Sequence, residues 1–283
     1  MKRRGVLLVL LVLAAARSAR AQTDTLGYSA AAPRWVGEFT TLSANAAIGG
    51  LTAGIFQKVR GGSFKDGFTR GAFGGAIIYT GKWVAAKRIS GGGLVGREIT
   101  AVGTSIVRNA SDGVGSLDRL ILPVAIGRIY WDRQTNVKLF KLDIVTAGFT
   151  VYGIVENELH FDTRESFSAG IPIFRTNNRV ITYGVDDQHA GGVTNAGVIF
   201  RSDVAGWGKT FLQKAMAHER VHVLQSDQLF LTINDRLDGF VLGRKLSRYV
   251  DLNGVTEGFR QLGRLIPEYG DRPWEMEAIY LSR

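Results

Sequence analysis

His218-Glu219-Arg220-Val221-His222 is the segment whose residue types and spacing suit chemistry. The chain has four histidines, His160, His189, His218 and His222. A random ordering of this composition yields H-E-x-x-H only about 0.002 times. On a helix, positions i and i+4 are stacked neighbours with β-carbons about 5–6 Å apart. Two imidazoles there can share one tetrahedral divalent ion. Glu219 projects to the side of the pair, where a carboxylate takes a proton from a metal-bound water. An unpaired carboxylate buried at that position would cost several kcal/mol, so Glu219 asks for a cation or a functional reason. The competing reading is a pair of core histidines bonded to their neighbours.

Ala217-His218-Glu219-Arg220-Val221-His222-Val223-Leu224-Gln225 resembles the A-H-E-L-x-H-V-x-Q helix of zincin-like bacterial metallopeptidase domains. Gly192–Phe200 (GVTNAGVIF) is similar to the strand that precedes that helix. The likeness covers about 192–228 and a C-terminal segment; Arg220 departs from it, standing where the family has an apolar residue. Two histidines leave a zinc ion short of ligands. Position 228 is Gln228, so the third-histidine pattern of metzincins is absent. Arg272-Pro273-Trp274-Glu275-Met276-Glu277-Ala278 resembles the E-x-x-A segment that supplies a glutamate ligand in several gluzincins. Glu275 and Glu277 lie about 200° apart on a helix, so only one can face the ion. The resemblance favours Glu275, with Glu277 as the alternative; Glu257 and Glu268 are weaker candidates. Without a metal, the pair reads as a solvated acidic first turn favoured by the helix dipole.

The resemblance implies Zn²⁺ held by His218, His222 and Glu275, with Glu219 as general base. Gln225, one turn past His222, either orients a ligand or packs. The strand at Val198–Arg201 would pair with an extended peptide. The sequence names no residue for oxyanion stabilisation; Tyr280, five residues beyond Glu275, is only a guess. The expected activity is hydrolysis of peptide bonds in a peptide or protein substrate, as in a zinc metalloendopeptidase. The alternative is a non-catalytic, zinc-stabilised envelope protein, membrane-associated through a glycine-zipper hairpin.

The elements that must position these residues give an α+β class. From Lys209 the apolar positions Phe211, Leu212, Ala215, Met216, Val221, Val223 and Leu224 leave almost no polar face, which predicts a buried helix over 208–229. Further helices are predicted over 236–283, around 236–250, 256–266 and from Asp271 and Pro273 to the end. A strand-rich layer is predicted over 115–202, from Leu120–Trp131, Val137–Ile144, Phe149–Val155, Ser168–Phe174, Arg179–Val185 and Val193–Arg201. The zincin-like region is therefore 115–283. Residues 22–114 form a Gly/Ala-rich helical region in which Gly50 and Gly54, and Gly67, Gly71 and Gly75, recur at four-residue spacing. Such spacing lines one helix face and lets backbones approach. The apolar runs Ala46–Phe56 and Ala72–Thr80 are shorter than the roughly 18 residues of a membrane span.

Composition closes other routes. Apolar residues make up 45% and charged residues 21% of 283, a globular composition. With no cysteine, disulfides, thiolate nucleophiles and Cys-ligated zinc are excluded. The net charge of +10 is concentrated at the start, where Lys2, Arg3, Arg4, Arg17 and Arg20 face no acid. The rest carries 30 basic and 25 acidic residues, and no basic run with interleaved aromatics suggests nucleic acid. Met1–Arg4, the apolar run Gly5–Ala16 and Ala19-Arg20-Ala21 have the layout of a signal peptide over residues 1–21. An exported protein, periplasmic, cell-envelope or secreted, is expected. Gly91–Gly96 matches G-x-G-x-x-G but reads as a loop or helix cap. Gly206–Thr210 resembles the end of a P-loop but lacks its first glycine, which would fall at Asp203. Asn109-Ala110-Ser111 is a glycosylation sequon with no known route to a sugar. His160 and His189 lack partners at metal spacing and read as surface or core histidines.

Overall fold

The computed structural model describes residues 34–87, 89–177, 191–203, 208–228, 240–252 and 273–282. The signal peptide, the strand at 179–185, the helix at 256–266, His189, Glu257 and Glu268 lie outside them. The described chain is mixed, with helices and two four-stranded sheets, compatible with the α+β expectation.

Three long helices come first: α1 (Arg34–Val59), α2 (Phe64–Ala85) and α3 (Gly92–Asp112). Ser63 caps α2 by accepting the Asp66 N–H, and Gly91 precedes α3 in the left-handed region at φ 76°. The expected hairpin is thus a layer of three. Gly67, Gly71 and Gly75 line the face of α2 toward α1. A β-carbon at Gly71 would overlap the Gly49 carbonyl, and one at Gly75 the Asn45 carbonyl. Gly74 and Gly81, on a neighbouring face, meet α3 at Gly103 and Gly96. Within α1, Gly37–Val59 is long and apolar enough to cross a membrane by length and composition, a test that core helices also pass. That stretch exceeds the Ala46–Phe56 run read from the sequence.

The first sheet is four-stranded. Strands β1 (Arg119–Val124), β2 (Gly127–Asp132) and β3 (Val137–Asp143) form an antiparallel meander, and β8 (Val250–Asp251) lies parallel to β3. Leu120–Trp131 is therefore a hairpin, turned at Ala125, and not one strand. Helix α4 (Ile144–Val155) replaces the strand expected at Phe149–Val155. Its composition favours strand, but the Asp143 carboxylate accepts the Thr146 N–H and starts a helix. Next come β4 (His160–Phe161), helix α5 (Thr163–Ala169) and β5 (Ile173–Thr176); α5 takes the first residues of the strand expected at Ser168–Phe174. The hairpin β6 (Gly192–Asn195) and β7 (Val198–Ser202) completes a second sheet of order β4-β5-β7-β6.

Helix α6 (Lys209–Asp227) lies between the second sheet and the helical layer. Met216 and Val223 pack with Ile173 and Ile199 of the sheet. Val221, on the other face, packs with Tyr79 and Ala86 and with Ala278 and Leu281 of α8 (Pro273–Ser282). Burial on both sides explains the missing polar face from Met216 onward, whereas the first turns, expected to be buried as well, are largely exposed, Phe211 included. Of the helix expected at 236–250, the described part holds helical residues at 240–241 and the short helix α7 (Gly243–Leu246) before β8. The far end of α6 is anchored by charge. Asp227 accepts from Arg97 Nε at 3.0 Å and from Arg128 Nη2 at 2.9 Å. Arg128 also pairs with Asp143 and Asp251, and all five groups are buried.

Candidate metal centre

Helix α6 places His218 and His222 one turn apart, and α8 brings Glu275 to them. His218 Nε2 and His222 Nε2 are 2.9 Å apart. Glu275 Oε2 lies 3.2 Å from the first and 3.0 Å from the second. Among the described residues this is the group of His, Asp and Glu whose ligand atoms converge as a metal site requires. Donors bound to one tetrahedral zinc at about 2.0–2.1 Å are spaced by about 3.3 Å, close to the observed triangle. The donor set fits as well: two imidazole nitrogens and a carboxylate oxygen suit zinc. Crowded this closely, they need positive charge among them. Burial alone would lower the His222 pKa, yet the charge of Glu275 and its hydrogen bond, with Glu219 and Gln225, raise it to about 9. The same field that holds a proton there favours a divalent ion.

Gln225 Oε1 lies 2.8 Å from His222 Nδ1. The Gln225 amide donates to Trp274 O at 2.9 Å and to Glu277 Oε2 at 2.8 Å. Both of those are acceptors, so Oε1 must face the ring and accept the Nδ1 proton. The Nε2 lone pair of neutral His222 then points into the donor triangle.

Glu219 is 6% exposed. Thr194 Oγ1 on β6 lies 2.7 Å from Glu219 Oε2, so the hydroxyl donates to the carboxylate. Gly192 leaves room beside it; a β-carbon there would stand 3.1 Å from Glu219 Cγ. Arg220 is buried against Gly93 and donates to Glu165 Oε2 at 3.1 Å. An arginine is accommodated at that position because α5 supplies the counter-charge.

Other expected roles fall elsewhere. Glu277 points away from the triangle: Oε1 accepts from Asn45, and Oε2 from Lys82 and Gln225. Burial would raise its pKa, but the Lys82 ammonium and these hydrogen bonds hold it below the usual carboxylate range. Tyr280 lays its ring against Gly37 of α1. Strand β7 sits inside its sheet, so Val198–Arg201 has no free edge; among the described residues the edge strand near α6 is β6. His160 is exposed on β4. Gly91–Gly96 forms the cap and first turn of α3. Asn109 is fully buried and donates to Ser116 O and Arg119 O. Sequence reasoning missed Thr194, Asn45 and Lys82; Thr194 stands in the GVTNAGVIF segment, whereas no spacing marks the other two. The chain matches no protein-family model, no curated protein and no solved structure.

Proposed function

We propose that the chain is an exported, zinc-dependent metallopeptidase of gluzincin type, with β6, β7, α6 and α8 as its zincin-like catalytic segment. The observation that carries this reading is the convergence of His218 Nε2, His222 Nε2 and Glu275 Oε2 beside the Glu219 carboxylate. A zinc ion in that triangle supplies Lewis acidity toward a substrate carbonyl and toward water. Glu219 takes a proton from the attacking water and passes it to the leaving amine. The Thr194 hydroxyl fixes Oε2 of that carboxylate and leaves Oε1 to carry the proton. As an edge strand among the described residues, β6 offers backbone groups to an extended peptide. Export rests on the first 21 residues and is tested by mass spectrometry, with Gln22 expected at the mature N-terminus.

The functional test is zinc content and peptide hydrolysis of the purified protein. His222→Ala loses both. Glu219→Gln keeps the zinc and loses hydrolysis by about 10²–10⁴-fold. Unchanged turnover in Glu219→Gln would refute the mechanism, and stoichiometric zinc without turnover in the wild type would favour a structural zinc protein.

A further inference from the structure

Lys82, on α2, is fully buried and takes no part in the chemistry proposed above. Burying an ammonium ion is costly, and apolar residues of similar volume often serve stability as well or better. The Lys82 contacts point toward the metal centre. Its Nζ donates to Glu277 Oε2 at 2.6 Å and to Asn45 Oδ1 at 3.0 Å. Asn45, on α1, donates through Nδ2 to Glu277 Oε1 at 2.6 Å. Both oxygens of Glu277 are thereby held as acceptors at fixed positions. Glu277 Oε2 receives the Gln225 amide at 2.8 Å, and Gln225 Oε1 receives the His222 Nδ1 proton at 2.8 Å. A continuous line of hydrogen bonds runs from the two N-terminal helices to a metal-ligating ring, and each bond polarises the next.

Gln225 is the element with two states. Its amide group can be turned over with little change of shape, exchanging oxygen for nitrogen. Turned over, it would offer N–H to His222 Nδ1, move the ring proton to Nε2 and take the lone pair out of the donor triangle. The Glu277 carboxylate and the Trp274 carbonyl both accept only, so together they select the productive orientation, and the brace on Glu277 sets where Oε2 meets the Gln225 amide.

We propose that Lys82 and Asn45 are positioning residues of the metal centre, acting through Glu277 and Gln225 to fix the tautomer and ring plane of His222. This rests on reading His218, His222 and Glu275 as zinc ligands. The Gly/Ala-rich helical layer thus helps set the affinity of a metal site to which it contributes no ligand.

The test uses the full mature chain, with zinc affinity from competition against a chromophoric chelator and the visible spectrum of the cobalt(II)-substituted protein. The variants are Lys82→Met, Asn45→Ala and the double variant Lys82→Met/Glu277→Met, each checked for native circular dichroism. Folded Lys82→Met is expected to bind zinc about 10–100-fold more weakly. Its cobalt d–d bands should shift in position and intensity, a change that loss of global stability alone would not cause. The double variant replaces a buried pair with apolar side chains, which is often neutral for folding, and it should show the same two defects. Wild-type affinity and wild-type cobalt bands in either folded variant would overturn the proposal. If neither folds, Asn45→Ala, which keeps the ion pair, decides by the same readouts. Failure of the underlying reading is distinct: wild-type protein would then bind no stoichiometric zinc, or His222→Ala would bind it equally well.

Discussion

Replacing Gly75 with alanine tests the helix packing that brings Asn45 and Lys82 to Glu277. Alanine is favoured over glycine inside a helix by about 0.8–1 kcal/mol. At Gly75 that gain is opposed: the new β-carbon would overlap the Asn45 carbonyl oxygen and stand 2.8 Å from its carbon and 2.9 Å from Ala46 Cα. All three are backbone atoms, so no rotamer change relieves them and α1 must move away from α2. Overpacking of this kind costs about 1–3 kcal/mol, and backbone overlap belongs at the upper end. The net expectation for Gly75→Ala is a loss of about 1–2 kcal/mol. Gly148, inside α4, has no heavy atom within 4 Å of its β-carbon position, so Gly148→Ala should gain about 0.5–1 kcal/mol. In a chain of this size each kcal/mol moves Tm by roughly 2–4 °C. Thermal unfolding should therefore show Gly148→Ala melting slightly above wild type and Gly75→Ala several degrees below it. Because the overlap falls on Asn45, only Gly75→Ala should also weaken zinc binding. A Tm for Gly75→Ala at or above wild type would refute the close approach of α1 and α2.

Thr194→Val removes the hydroxyl that orients Glu219 while preserving side-chain volume; turnover is expected to fall about tenfold at unchanged zinc content, as seen in paired activity and metal assays. Asp227→Asn leaves Arg97 without the carboxylate it pairs with on α6, whereas Arg128 keeps Asp143 and Asp251, so a loss of about 3 kcal/mol is expected in urea unfolding. The same site gives a pH dependence: burial would raise the Asp227 pKa, but Arg97 and Arg128 outweigh it and hold it below the ordinary carboxylate value. A folded-state pKa below the unfolded one means stabilisation that is complete above about pH 4 and lost as pH falls further. The wild-type urea midpoint should therefore drop from pH 4.5 to 2.5 more steeply than that of Asp227→Asn; parallel slopes would count against the network.

The parts of the fold and site legible in the sequence were those written in local spacing. His218 and His222 sit on one helix because a four-residue interval is itself a geometric statement, and the glycines of α2 declare a close-packed face in the same way. Local composition misleads where a single cap or turn residue decides the outcome. Ile144–Val155 is rich in β-branched residues, yet it forms a helix because a single preceding carboxylate caps it. Ala125 and Ala196 turn hairpins at φ 48° and 51°, and nothing in an alanine announces a turn. The brace behind His222 was beyond sequence reasoning, since Lys82 and Glu277 are 195 positions apart.

Burial of Asn109 bears on how the protein is best produced. The carboxamide nitrogen that an oligosaccharyltransferase would modify is the atom that closes the turn between α3 and β1. Modification precedes folding in the secretory pathway of yeast or animal cells, so a glycan added there would have to be forced into a packed interior. Expression in such hosts should split the product into a sugar-free folded fraction and a glycosylated fraction retained as misfolded. Ser111→Ala erases the acceptor signal at the cost of one hydrogen bond to Val107 O, and should restore a uniform yield.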